Sequence, residues 1–143
     1  MWERWDAWTH EKGFNDTGMN SFNHYAYGAV GEWMYAAITG IDLDPRQVGY
    51  KRIVIHPKPG GGLTRARATH QSMFGQIESN WRLEDGTMHL HVIIPPNTTA
   101  AIEIPTTDAG KITESGQPAA TAEGIRLIGT KAESATFEVG ECF

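Results

Sequence analysis

Apolar and polar positions change their period once along this chain, near residue 44. From Ser21 to Thr39 the apolar side chains fall at Phe22, Tyr25, Ala26, Ala29, Val30, Trp33, Met34, Ala37 and Ile38, the spacing of one helical face. The pattern predicts a helix over 21–39, with Ser21 as N-cap and Gly40 as the left-handed residue that ends it. The opposite face carries His24, Gly28, Gly31 and Tyr35. Interior glycines each cost a helix about 1 kcal/mol relative to alanine, so this pair predicts close approach by another element.

After Ile41-Asp42-Leu43-Asp44-Pro45 the period shortens to two. Strand-like runs are expected over 52–56, 64–70, 76–83, 88–94, 100–104, 125–128 and 135–139, separated by turn signals. Asp85-Gly86 joins two alternating runs and predicts a tight antiparallel hairpin. Pro57-Lys58-Pro59-Gly60-Gly61-Gly62 and Pro95-Pro96-Asn97 read as loops. The small, polar stretch 106–124 carries only weak strand character, around Lys111 to Glu114. The fold class expected is mainly β: an antiparallel, jelly-roll-like β-sandwich over 45–143, preceded by a helical segment over 1–44.

Composition narrows the function classes. Gly 16 and Pro 7 among 143 residues favour many short strands over a few long helices. Twelve Lys and Arg against seventeen Asp and Glu give a net charge of −5, and no basic stripe of a nucleic-acid binder is present, so no nucleic-acid partner is expected. Arg65 and Arg67 read as a solvated strand face. No window approaches the roughly 18 apolar residues of a membrane span, and the first residues lack a basic stretch followed by an apolar one. Neither membrane association nor an export signal is therefore expected, and the choice between cytoplasm and periplasm stays open. Cys142 is the single cysteine, which excludes an internal disulfide and a cysteine-based zinc site. No chemical role is expected of it.

Six histidines invite a metal site. His89 and His91 lie on one face of a strand, but Ile93-Ile94-Pro95-Pro96 follow them, where a cupin-like site would need a glutamate. With Met88, Leu90 and Val92 filling the inward positions, both histidines read as outward-facing, and neither metal nor cofactor is expected. His10, His56 and His70 read as surface histidines. Ser72 and Ser79 stand in no nucleophile-elbow turn, and Gly60-Gly61-Gly62 leads into a strand without the lysine or helix start that phosphate binding requires.

The richest segment is Trp2-Glu3-Arg4-Trp5-Asp6-Ala7-Trp8, followed by Phe14-Asn15-Asp16 and Asn20-Ser21-Phe22-Asn23-His24-Tyr25. Carboxylates among indoles suit a sugar site, because aromatic faces stack on pyranose faces and an apolar setting tunes a carboxyl group. The same residues also serve as ordinary packing. So large an aromatic cluster, Trp2, Trp5 and Trp8 with Trp33, further predicts self-association if it stands unpartnered.

The strings Trp2-Glu3-Arg4-Trp5-Asp6 and Gly18-Met19-Asn20-Ser21-Phe22-Asn23-His24-Tyr25, with Gly28, Gly31-Glu32-Trp33, Gly40-Ile41 to Pro45, Gly49-Tyr50-Lys51 and Pro57 to Leu63, resemble the C-terminal end of bacterial α-L-rhamnosidases of glycoside hydrolase family seventy-eight. The resemblance covers residues 2–105 and fades beyond Thr106. It implies that residues 1–44 are the last part of a catalytic (α/α)₆ barrel and that an antiparallel β-sandwich follows. It implies that Glu3 is the general base of an inverting hydrolysis and that His24 hydrogen-bonds rhamnose. An inverting site needs a second carboxyl group, about 6.5–9.5 Å from the first; Asp6 and Asp16 do not match the family's general acid. The partners implied are a rhamnose-containing glycoside and the rest of the barrel, and the 143-residue chain alone is expected to be inactive. The competing expectation is a non-catalytic carbohydrate-binding or structural β-sandwich module.

Overall fold

A computed structural model of the chain describes residues 2–140, apart from the side chains of Met19 and Tyr27; Met1 and Cys142 lie outside the described residues. The chain forms two compact units, Met1–Met34 and Tyr35–Phe143.

The first unit is irregular. It holds a short hairpin of β1 (Trp8–Thr9) and β2 (Gly13–Phe14), 3₁₀ turns at Thr17–Met19 and Tyr25–Gly28, and a single α-helical turn, α1 (Val30–Trp33). The continuous helix expected over 21–39 is therefore broken: 3₁₀ turns precede α1, and wider π turns run from Met34 to Thr39. Ser21 does not cap it. An amphipathic helix draws most of its stability from packing its apolar face, and Tyr25, Val30 and Trp33 are exposed. The expected close approach at Gly28 and Gly31 is also absent, since a Cβ built at either would meet nothing within 4 Å.

The second unit is a sandwich of unequal layers. One sheet has the order β11-β12-β8-β4-β3, built from β3 (Ile41–Leu43), β4 (Arg52–Ile55), β8 (Thr99–Pro105), β11 (Ile125–Lys131) and β12 (Ser134–Val139). The other is the meander of β5 (Arg65–Ser72), β6 (Gly75–Glu84) and β7 (Thr87–Ile93). All seven expected strands are present, and β3 lies on the N-terminal side of the expected 44/45 division. Asp85 and Gly86, at φ of 48° and 78°, make the predicted hairpin turn, which needs positive φ at both central positions.

Among the described residues every strand pairing is antiparallel except one. β4 runs parallel to β8, with Arg52 opposite Thr99 and Ile55 opposite Ile102. Parallel neighbours need a long connection, and here the whole three-stranded meander supplies it. A second small hairpin, β9 (Thr113–Glu114) with β10 (Gln117–Pro118), occupies the polar stretch where only weak strand character was legible.

Residues 35–40 are fastened into the sandwich through their carbonyls. The last carbonyls of a helix have no partner within it; here each finds one outside. Ala37 O accepts from Lys58 N–H at 3.1 Å, Ile38 O from Trp81 Nε1 at 2.8 Å, Thr39 O from Ser79 Oγ at 2.6 Å and Gly40 O from His56 N–H at 2.9 Å. Gly40 has φ of +80°, and a Cβ there would lie 2.2 Å from Pro57 N, so its glycine is required twice over. Beneath this joint Trp81, Ile53, Ile55 and Ile77 are fully buried.

Candidate active-site segment

The unit Met1–Met34 is organised around one small residue. Ala7 is fully buried, and its carbonyl accepts from Asn15 N–H at 2.9 Å and from Asn20 Nδ2 at 2.8 Å. Asn15 Nδ2 also donates to Asp6 Oδ2 at 3.2 Å. Asparagine suits this work because a single side chain carries both donors and an acceptor. Edge-to-face rings add to the clasp, with Trp2 and Phe22 centred 5.0 Å apart and Phe14 and Phe22 5.6 Å apart.

Glu3 is tied to Ser21 at two points. Its N–H donates to the Ser21 carbonyl at 2.7 Å, and its Oε2 accepts the Ser21 N–H at 3.0 Å. The side chain is half-buried, and among the described residues Oε1 has no hydrogen-bond partner. One oxygen is thus held by a backbone donor and the other is not. Three residues beyond Ser21, the half-buried His24 precedes the turn Tyr25–Gly28 without capping it. The backbone bridge therefore pins Glu3 to the stretch that ends in His24.

The neighbouring acids are committed elsewhere. Asp6 forms a two-pronged pair with Arg4, both contacts at 3.0 Å, and Asp16 accepts the Gly18 N–H at 2.9 Å to start the turn Thr17–Met19. Trp5 is 96% exposed and Tyr25 90%, so the aromatic rings here are only partly packed among themselves.

Carboxylates in the sandwich are of a different kind. Buried Asp44 accepts from the Arg46 guanidinium and backbone, with Arg52 Nε at 3.1 Å, and this holds its carboxyl well below the usual range. Glu78, 5% exposed, is lowered by its two-pronged hydrogen bond from Arg67. Glu138 is lowered by Arg52 and then Arg126, and Glu103 by Ser134 and Lys131. A carboxylate so firmly kept ionised serves structure better than proton transfer.

Sequence reading missed these pairs: all but the local Asp44–Arg46 contact join residues whose proximity depends on how the chain folds back on itself. His56 Nε2 lies 3.8 Å from Glu103, and His70 packs against the rings of Tyr35 and Tyr50; neither is the plain surface histidine expected. His89 and His91 do face outward, between half-buried Met88, Leu90 and Val92. Among the described residues no cluster of three or more His, Asp or Glu side chains could hold a metal ion, and no helix is long and apolar enough to cross a membrane.

The described residues thus combine a β-sandwich with an aromatic segment in which Glu3 is bridged to Ser21. Comparison with known proteins gives the family. Residues 40–119 match the bacterial alpha-L-rhamnosidase C-terminal domain, and residues 1–38 match the bacterial alpha-L-rhamnosidase 6 hairpin glycosidase domain. An alpha-L-rhamnosidase of Formosa agariphila is 46% identical over 128 residues, covering 90% of this chain and 14% of the relative. One from Streptomyces avermitilis is 52% identical over 105 residues, covering 73% and 10%. The crystal structure of Streptomyces avermitilis alpha-L-rhamnosidase complexed with L-rhamnose aligns with a TM-score of 0.72 at 41% identity, over 98% of this chain and 13% of that one. The structure of native α-L-rhamnosidase from Aspergillus terreus aligns with a TM-score of 0.60 at 38% identity, over 74% and 12%. The chain belongs to the bacterial α-L-rhamnosidase family and spans 10–14% of the length of these two curated relatives.

Proposed function

We propose that this chain is the C-terminal part of an inverting glycoside hydrolase that releases terminal α-L-rhamnose, and that Glu3 is its general base. The observation that carries the reading is the Glu3–Ser21 bridge, with one carboxylate oxygen fixed at 3.0 Å and the other unengaged. Such a group takes a proton from the water that attacks the anomeric carbon, while His24 hydrogen-bonds the sugar. The general acid comes from outside these residues, since Asp6 and Asp16 are held by Arg4 and by a turn. The N-terminal segment completes a catalytic barrel, and its exposed indoles pack against the rest of that barrel. In isolation the same indoles drive self-association, which light scattering detects as a mass above that of the monomer.

The decisive experiment replaces Glu3 by Gln in the complete enzyme. Turnover of a chromogenic α-L-rhamnoside is expected to fall by about three orders of magnitude, with the fold retained by circular dichroism. Near-normal turnover removes Glu3 from the mechanism. The isolated 143-residue chain is expected to leave the same substrate intact; cleavage would mean that a second carboxylate lies within it.

A further inference from the structure

Three strands cannot cover five. The meander β5-β6-β7 faces only part of the sheet β11-β12-β8-β4-β3, and the remainder is covered by the irregular stretch 106–124. Ala109, Ile112 and Ala119 of that stretch pack with Ala135 and Phe137 of β12. The apolar interior is therefore divided. One buried cluster is Ile41, Ile53, Ile55, Ile77 and Ala100, and a separate one is Ala119, Ala135 and Phe137.

Between the clusters lies a cavity of about 400 Å³. Val92, Ile94 and Ile102, which pack on the first cluster, form one wall; Ile104, Ile112 and Ile125, which pack on the second, form the other. All six are only half-buried. Protein interiors rarely leave voids larger than a water molecule, whereas this volume equals roughly a dozen waters. Aliphatic side chains form the two facing walls, and they offer the body of an apolar molecule a surface to pack on. The size also falls in the range of small-molecule sites, about 300–1,000 Å³.

The lining also has polar members: Thr87 and His91 on the β7 side, and Lys111, Thr113 and Glu114 on the other. Glu114 accepts a hydrogen bond from the Ser115 hydroxyl. The Lys111 side chain is exposed and has no hydrogen bond or ion pair among the described residues; only its backbone N–H is bonded, to Asp108 O. A cleft with aliphatic walls and an unpaired ammonium group among its polar members suits a molecule with an apolar body and an anionic end.

We propose that this cavity is a binding site for an alkyl or aryl carboxylate, its hydrocarbon part between the two clusters and its carboxylate on Lys111. The site lies wholly within the sandwich and does not depend on the role assigned to Glu3.

The test titrates the full chain with decanoate and, separately, with decanol, following isoleucine and valine methyl resonances. Decanoate is expected to shift Ile102, Ile104, Ile112 and Ile125 saturably at submillimolar concentration. Lys111→Ala should weaken decanoate about threefold, the scale of an exposed charge contact, and leave decanol unchanged. Leu90→Trp, which fills the chamber from β7, should weaken both by roughly tenfold or more; Ile125→Phe serves the same purpose if that variant fails to fold. Absence of saturable shifts at millimolar decanoate overturns the site. So do shifts confined to the aromatic residues 2–34, or equal losses of both ligands on Lys111→Ala.

Discussion

Four of the five tryptophans lie in residues 2–34, yet the one that is fully buried is Trp81 in the sandwich. Trp2, Trp5, Trp8 and Trp33 are 48%, 96%, 38% and 59% exposed. The two regions thus reverse the usual relation between apolar content and core. In the sandwich, opposed layers give inward side chains something to touch, and a modest set of isoleucines with one indole makes an interior. Among the described residues of the N-terminal unit no second layer is present, and of their side chains only Ala7 is buried. That unit is held by asparagine-to-backbone bonds and a glutamate bridge. Burial is a property of architecture as much as of composition.

The sharpest way to break this contrast is to remove the buried indole. Trp81→Ala should destabilise the sandwich by about 3–5 kcal/mol, because it opens a cavity and strips Ile38 O of its donor; chemical denaturation measures it. A cost below about 1 kcal/mol would mean that the interior is no better packed than the N-terminal surface. Gly40→Ala comes next, at about 3 kcal/mol. It forces a side chain into positive φ and against the Pro57 backbone, and the same denaturation series reads it.

Acid titration tests the sandwich's ion pairs. Asp44, Glu78, Glu103 and Glu138 all have lowered pKa values. A lowered acid contributes stability that is complete above its unfolded pKa and is lost as pH falls through the folded value. Urea midpoints should therefore stay level from neutral pH to about 5 and decline below about 4, near the unfolded carboxylate range. A midpoint that rises on acidification would contradict the assignment. The smallest effect belongs to the other region: Trp5→Ala should change the chain's stability by no more than about 0.5 kcal/mol, since Trp5 is 96% exposed. A larger loss would show that the indole is covered.

Local chemistry is legible in the sequence, and pairing at a distance is not. All seven strand runs announced themselves by alternation, and Asp85-Gly86 named its own turn. The parallel β4–β8 pair was invisible, because Arg52 and Thr99 share no local pattern. The helix over 21–39 misled for a related reason: its apolar spacing is real, but the packing that would hold such a helix together is missing around Tyr25, Val30 and Trp33. Ser21 is instructive, since it was expected to cap a helix and instead gives its N–H to Glu3. Glu3 itself was singled out by resemblance and by its indole neighbours. Its bridge to a residue eighteen positions away could not be read from spacing.

The lone parallel pair also orders events in time. The meander β5-β6-β7 is made of adjacent hairpins and can form early, whereas β4 cannot meet β8 until every residue of that meander has been made and folded back. Until then β4 presents an open edge lined with isoleucine and valine, the kind of strand that recruits the wrong neighbour. Pulse-labelled hydrogen exchange should accordingly find the amides of 52–55 protected later than those of 76–83. Maturation of this domain is thus governed by its most distant handshake, and crowded, rapid synthesis is where it is most exposed to error.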